Sequence, residues 1–499
     1  MSASFKSRTS HKYFALSILG VIAFLTFSSW ENIPAFISLR ELAGASAFKT
    51  TISDHTITSN SGVLHYKATT GYSSINNSEN HTAQLFYTAY TSGSSNKPIT
   101  FVFNGGPGSS SIWLHMGSFG PVRVAPGKAV CQTNNDTWLG FTDLVFIDPV
   151  GTGYSRPEDG TDARRFYGYH EDIRIIAAFI SNYLKENHRN NSSLFLTGES
   201  YGAARAVGLA AYLQDTLKTQ VAGLTLISPA LNYKLITFRK GNDNPYPYYL
   251  ATYALSAQFH KRLSPKLQDL SATQLQNRVN QFAFGAYKNA LSAKVISAAV
   301  IDTLSEYTGL DVTTLRHLNG RVTDSEFAHL LLKSKSNRLG IYDDRDTATV
   351  ASADPSEQKL RETFPAAFAG YNKTVLHYTN KLNYLATIAT PNWNYGPEMA
   401  NGYLDVVPVL QHLLAGNQNI KVQVVSGDYD LATPRATVDQ TITALGSVAN
   451  RVAVRHYAAG HMLYTDDKAN HLWHNYSETF YNNTIIYSSN IISYAPKNI

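Results

Sequence analysis

Apolar residues along this chain of 499 gather into short unbroken runs, set between longer stretches in which they recur at helical spacing. Residues 84–90 and Ile99–Phe103 read as strands, the second ending in a glycine-rich turn, and 144–147 is a continuous apolar run, as a strand buried on both faces requires. Spacing predicts a helix over 173–184, a strand over 194–197, a helix over 201–213 and a strand over 224–227. Short buried strands alternating with helices imply a mainly parallel sheet covered on both sides. The rhythm lapses between 232 and 386, where the pattern is mostly helical with polar breaks such as Gly241-Asn-Asp-Asn-Pro, and returns with a helix over 404–414 and strands over 422–425 and Val452–Tyr457. The expectation is an α/β core in two parts, 40–231 and 387–499, interrupted by a helical insertion over 232–386.

The N-terminal 29 residues change the picture of where this core works. Lys6, Arg8 and Lys12 precede an apolar run from Phe14 to Phe27, followed by Ser28 and Ser29. That run is short for a transmembrane helix and fits a secretory signal or N-terminal anchor. A secreted or periplasmic protein is expected, meeting a membrane only if the segment is retained. Without those three cations, and with no acid before Glu31, the formal charge falls from +6 to +3. So small a charge on so long a chain excludes a nucleic-acid footprint. The single cysteine, Cys131, allows no internal disulfide, so the core alone must hold the fold. Asp343-Asp344-Arg345-Asp346 lacks the spaced ligands and terminal Glu of a calcium loop and reads as a solvated loop. Neither a metal nor an organic cofactor is expected.

Candidate chemistry centres on Gly198-Glu199-Ser200-Tyr201-Gly202, between the strand over 194–197 and the helix that follows. A serine on such a strand-to-helix turn is lifted clear of the sheet and faces the helix N-terminus. Its hydroxyl is a poor nucleophile until a base takes its proton and an acid orients that base. In this arrangement the acid and then the histidine follow the serine in the chain. Ser426-Gly-Asp-Tyr-Asp follows the strand over 422–425, and Gly460-His461-Met follows Val452–Tyr457. Ser200, Asp430 and His461 thus form the expected triad, with Asp428 as rival acid and His456, inside a strand pattern, as rival base. Asn104-Gly105-Gly106-Pro-Gly follows Ile99–Phe103; glycine lets a backbone N–H approach substrate, so Gly106, with the N–H of Tyr201, is the expected oxyanion hole.

These segments, together with Ile147-Asp-Pro-Val-Gly-Thr-Gly-Tyr-Ser, resemble the serine carboxypeptidase family (peptidase family S10) of α/β-hydrolases, in the family's order from about 85 to 465. The resemblance implies an α/β-hydrolase fold with an inserted helical cap, and removal of C-terminal residues from peptides with a free C-terminus through a Ser200 acyl-enzyme. It favours Asp430 over Asp428, and implies that Asn104, Gly105 and Glu199 contact the substrate's terminal carboxylate. Three positions depart from the family pattern. Ser118 stands where a second carboxylate-binding Glu is usual and is expected to meet substrate in its place; Val102 replaces an aromatic residue; and Leu463-Tyr464 follow the Gly-His-Met where a Pro is usual. The loss at position 118 keeps open an esterase or acyltransferase on the same scaffold, and beyond that an inactive exported binding protein. Tyr246, Tyr248 and Tyr249 at the start of the insertion are expected to border the cleft.

Overall fold

The computed structural model describes residues 49–124, 127–399 and 402–482, so the expected leader over 1–29 lies outside the described residues. Nine strands build the main sheet: β1 (Thr51–Ser59), β2 (Gly62–Asn76), β3 (Thr82–Thr91), β4 (Ile99–Phe103), β5 (Asp143–Ile147), β6 (Leu194–Glu199), β7 (Gly223–Ile227), β8 (Lys421–Gly427) and β9 (Val452–Tyr457). Their spatial order is β1-β2-β3-β5-β4-β6-β7-β8-β9, with the short strand Arg156–Pro157 added beside β3. The six strands from β5 to β9 run parallel, and the β1-β2-β3-β5 side is antiparallel.

Within the parallel strands the side chains alternate between two cores, as the two-residue period of a strand requires. Phe101, Phe103, Val145, Leu196 and Leu224 face one core, which is closed by helices α1 (Tyr169–Glu186), α2 (Tyr201–Asp215) and α5 (Val407–Gly416). Val102, Phe146, Phe195 and Val425 face the other, closed by α4 (Pro355–Thr374) and α7 (Asp467–Tyr481). Because both faces are covered, these strands need no polar side, which is why they were legible as continuous apolar runs. The helix expected over 404–414 begins at Val407, with Pro408 in its first turn, where the missing N–H costs nothing.

Two expectations need revision here. The sheet begins well before residue 84, with a hairpin of β1 and β2 closed at Asn60-Ser61-Gly62. Its signal is missing because the half-buried positions of β1 are Thr51, Ser53, His55, Ile57 and Ser59, while Ile52 faces solvent. The residues over 232–386 divide between two cores. Helix α3 (Pro245–Phe259) and the helices up to residue 332 form a third cluster of their own, whereas α4 and Leu376 and Tyr378 pack into the second sheet core. Leu385 already pairs with Gly153, and Ser110 N–H donates to the Ala386 carbonyl at 2.9 Å.

Candidate active site

At the C-terminal ends of β4, β6, β8 and β9, where an open α/β sheet forms its crevice, the chain gathers most of the expected residues. Ser200, half-buried, sits between β6 and α2 at φ 60°, ψ −124°, a conformation that costs a non-glycine residue strain and that a tight strand-to-helix turn demands. The stretch after β7 pins it: Ser200 N–H donates to the Ile227 carbonyl at 2.9 Å, and Ala230 N–H donates to the Ser200 carbonyl at 3.2 Å. Ser228 of the same stretch donates its hydroxyl to the His461 carbonyl at 2.7 Å, fixing the histidine loop to the same support.

His461 Nδ1 lies 2.8 Å from Asp430 Oδ2. Asp430 is fully buried and its lone pairs are all used: Oδ1 accepts the N–H groups of Ala432 and Thr433, at 2.8 and 2.9 Å, and Oδ2 accepts the Thr433 hydroxyl at 2.7 Å. Burial lowers the pKa of His461, but the charge and hydrogen bond of Asp430, with Glu199 nearby, raise it above the ordinary value for histidine. The rival groups are engaged elsewhere. Asp428 pairs with Arg435 at 3.1 Å and Gln276 at 3.2 Å, and His456 is held between Ser426 (2.7 Å) and Asp439 (2.9 Å).

The loop over 341–346 is not solvated, contrary to its charge pattern. Asp344 is fully buried, and the loop zips onto the turns that carry Asp430 and His461: His461 N–H donates to the Tyr342 carbonyl at 2.6 Å, Leu431 N–H to the Ile341 carbonyl at 3.0 Å and Asp344 N–H to the Tyr429 carbonyl at 3.1 Å. The Tyr342 ring lies 5.3 Å from the His461 ring. Four acidic and basic residues in a row hid this packing, since Arg345 neutralises Asp343 directly at 2.7 Å. A cavity of about 360 Å³ opens beside Met462, lined by Tyr342, Asp343, Lys359 and Leu360 among others.

Asn104 and Glu199 face each other from the ends of β4 and β6. Leu114 N–H donates to Asn104 Oδ1 at 3.1 Å, which turns the amide so that Nδ2 donates to Glu199 Oε1 at 2.8 Å. Burial pushes the Glu199 carboxyl up to about 7, against the opposing pull of His461, Tyr464 and Asn104. Gly105 approaches the elbow so closely that a Cβ there would lie 2.6 Å from the Glu199 carbonyl and 2.7 Å from Tyr201 N; Gly106 follows at φ +104°. Arg205, one turn along α2, donates to the Asn104 carbonyl at 2.6 Å and to Asp172 at 2.7 Å, a buried brace that no motif announced.

Ser118 does not join this group. It lies in the π-helical turn His115–Phe119, is buried, and donates its hydroxyl to Asn470 Oδ1 of α7 at 2.7 Å. The tyrosines at the start of the insertion pack into the cap's own core: Tyr249 is fully buried against Phe238, and Tyr246 and Tyr248 lie against the same cluster. Among the described residues no group of three or more His, Cys, Asp or Glu could hold a metal ion, and no helix is long and apolar enough to cross a membrane.

A mainly parallel sheet with covering helices and a nucleophile elbow defines an α/β-hydrolase. The chain belongs to the serine carboxypeptidase family, whose model matches residues 59–480. It is 32% identical over 144 residues to the pheromone-processing carboxypeptidase KEX1 of Yarrowia lipolytica, covering 28% of this chain and 23% of that protein. Over 396 residues it is 22% identical to serine carboxypeptidase-like 35 of Arabidopsis thaliana, covering 77% and 76% of the two chains. In the first three curated relatives the matched stretch spans 23%, 26% and 32% of their length. The crystal structure of KEX1 from Saccharomyces cerevisiae, a prohormone-processing carboxypeptidase, shares the fold with a TM-score of 0.57 at 17% identity, over 84% of this chain and 92% of that one.

Proposed function

We propose that this protein is an exported serine carboxypeptidase that removes C-terminal residues from peptides with a free C-terminus. The observation that carries the reading is that one elbow shares its support, the stretch over 227–230, with the loop of the His461–Asp430 pair and at the same time sets Glu199 on Asn104. Ser200 Oγ attacks the last peptide carbonyl. With Nδ1 committed to Asp430, the His461 nitrogen left for the serine proton is Nε2, and the same nitrogen returns the proton to the leaving amine. The N–H of Tyr201, first in its helix and so without an intrahelical partner, and that of Gly106 receive the oxyanion. Water then attacks the acyl-enzyme on Ser200 by the reverse proton path.

The leaving residue carries a carboxylate, and Asn104 and the neutral Glu199 are its donors. A carboxyl group of raised pKa donates a hydrogen bond where an ionised one would repel. Labelling with a fluorophosphonate, followed by assay on one peptide as free acid and as C-terminal amide, tests the reading. Labelling at Ser200 with preferential cleavage of the free acid is expected. An esterase on this scaffold would be labelled but show no such preference, and a binding protein would not be labelled.

A further inference from the structure

Tyr464 is fully buried and stands beside Glu199 and Asn104, yet it belongs to no motif. Its ring packs against Gly117: a Cβ at that position would meet ring carbons at 2.4 and 2.6 Å, so only glycine admits the tyrosine. Its carbonyl accepts Arg123 Nη2 at 3.0 Å. The phenol is therefore held at both ends of the residue. Its hydroxyl and Glu199 Oε2 are both buried, neither meets a partner at full hydrogen-bond geometry, and the groups within the phenol's reach are Glu199 itself and Asn104. Burying two such atoms with so little beyond each other to bond is costly and calls for an explanation.

The hydrogen-bond pattern says which kind of group would satisfy them. Glu199 Oε1 accepts from Asn104, so the proton of the neutral acid sits on Oε2. Tyr464 Oη carries a proton whatever the pH of ordinary media, since burial above all pushes its pKa well above the usual phenol value. Between them the two O–H groups can satisfy only one of their two protons, so one donor is left over. A carboxylate, with two acceptor oxygens on one carbon, is the complementary group.

We propose that Tyr464 is a specificity-determining residue: its hydroxyl and the Glu199 carboxyl together form a two-pronged donor for the free carboxylate of the substrate's C-terminal residue. The phenol takes over the work of a second acid, which Ser118, turned to Asn470, does not do. Once Glu199 ionises, Oε2 becomes an acceptor for the Tyr464 proton, and the two prongs close on each other rather than on substrate.

This inference rests on the carboxypeptidase reading, and the experiment separates the two. An N-acylated dipeptide is assayed as free acid and as C-terminal amide, with wild type and Tyr464→Phe. Phe keeps the ring on Gly117 and removes only the donor. KM for the free acid should rise about tenfold or more, as loss of one hydrogen bond to a charged group implies, with a much smaller change in kcat, and the free-acid preference should shrink by the same factor. Gly117→Ala, which displaces the ring while keeping the hydroxyl, should move the preference in the same direction. If wild type prefers the free acid and Tyr464→Phe keeps that preference, the role of Tyr464 is wrong while the carboxypeptidase stands. Improved cleavage of the free acid by Tyr464→Phe would make the side chain an obstruction and equally overturn the proposal. Equal cleavage of free acid and amide by wild type would overturn both readings.

Discussion

Asp430 has every oxygen of its side chain satisfied by the protein; Glu199, one residue before Ser200, does not. Every oxygen of Asp430 is occupied by a donor from its own turn or from His461. Glu199 Oε2 and Tyr464 Oη, equally buried, have no partner at full hydrogen-bond geometry and little beyond each other to bond. The first region is finished without substrate, as a fixed proton-transfer device should be, because reorganisation during reaction would cost rate. The second, on the proposed reading, is completed by the substrate's carboxylate. The difference teaches where to look for chemistry and where for specificity.

Substitutions break the comparison unevenly. Ser200→Ala should have the largest effect, a loss of several orders of magnitude in kcat together with loss of fluorophosphonate labelling, seen by gel fluorescence; labelling retained at another serine would move the nucleophile. Asp430→Asn removes the acceptor for His461 Nδ1–H and should lower kcat by about 10⁴. Asp428→Asn, which touches only Arg435 and Gln276, should be far milder in the same steady-state assay. Arg205→Ala attacks the brace behind Asn104. It leaves Asp172 buried and without the Arg205 charge, so a stability loss of about 3–5 kcal/mol is expected in urea unfolding. The smallest effect belongs to Ser118→Ala. Losing its bond to Asn470 should cost about 1 kcal/mol of stability and leave KM for a free-acid peptide where it was; a clear rise in KM would bring Ser118 back to the substrate.

The finished region is also the one that could be read along the chain. Ser200, Asp430 and His461 each follow an apolar run that had to be a buried strand, and the order of the three confines the choice to a few residues. Asp430 and Asp428 stayed undivided on the residues alone, because a turn's hydrogen bonds are invisible in spacing. Glu199 was legible only by its place beside the serine. Tyr464 and Tyr342 reach the site by tertiary packing, through a glycine face and a loop of the insertion, and Thr433 through the local turn after Asp430, none of which leaves a periodic trace. The hairpin of β1 and β2 escaped for a related reason, since its inward positions are largely Thr, Ser and His.

The central claim is that a neutral Glu199 receives the substrate's carboxylate, and the pH dependence of kcat/KM on a free-acid peptide and on its amide tests it most directly. The pKa of Glu199 is raised to about 7, chiefly by burial, so the donor is fully present well below that pH and is lost as pH rises through it. The rise of activity as His461 loses its proton should be common to both substrates. The free-acid profile alone should then fall around pH 7 with the loss of a single proton, because Tyr464 does not titrate in that range, and the amide should show no matching fall. Parallel profiles for the two substrates, or an amide cleaved as readily as the free acid at pH 5, would contradict the account.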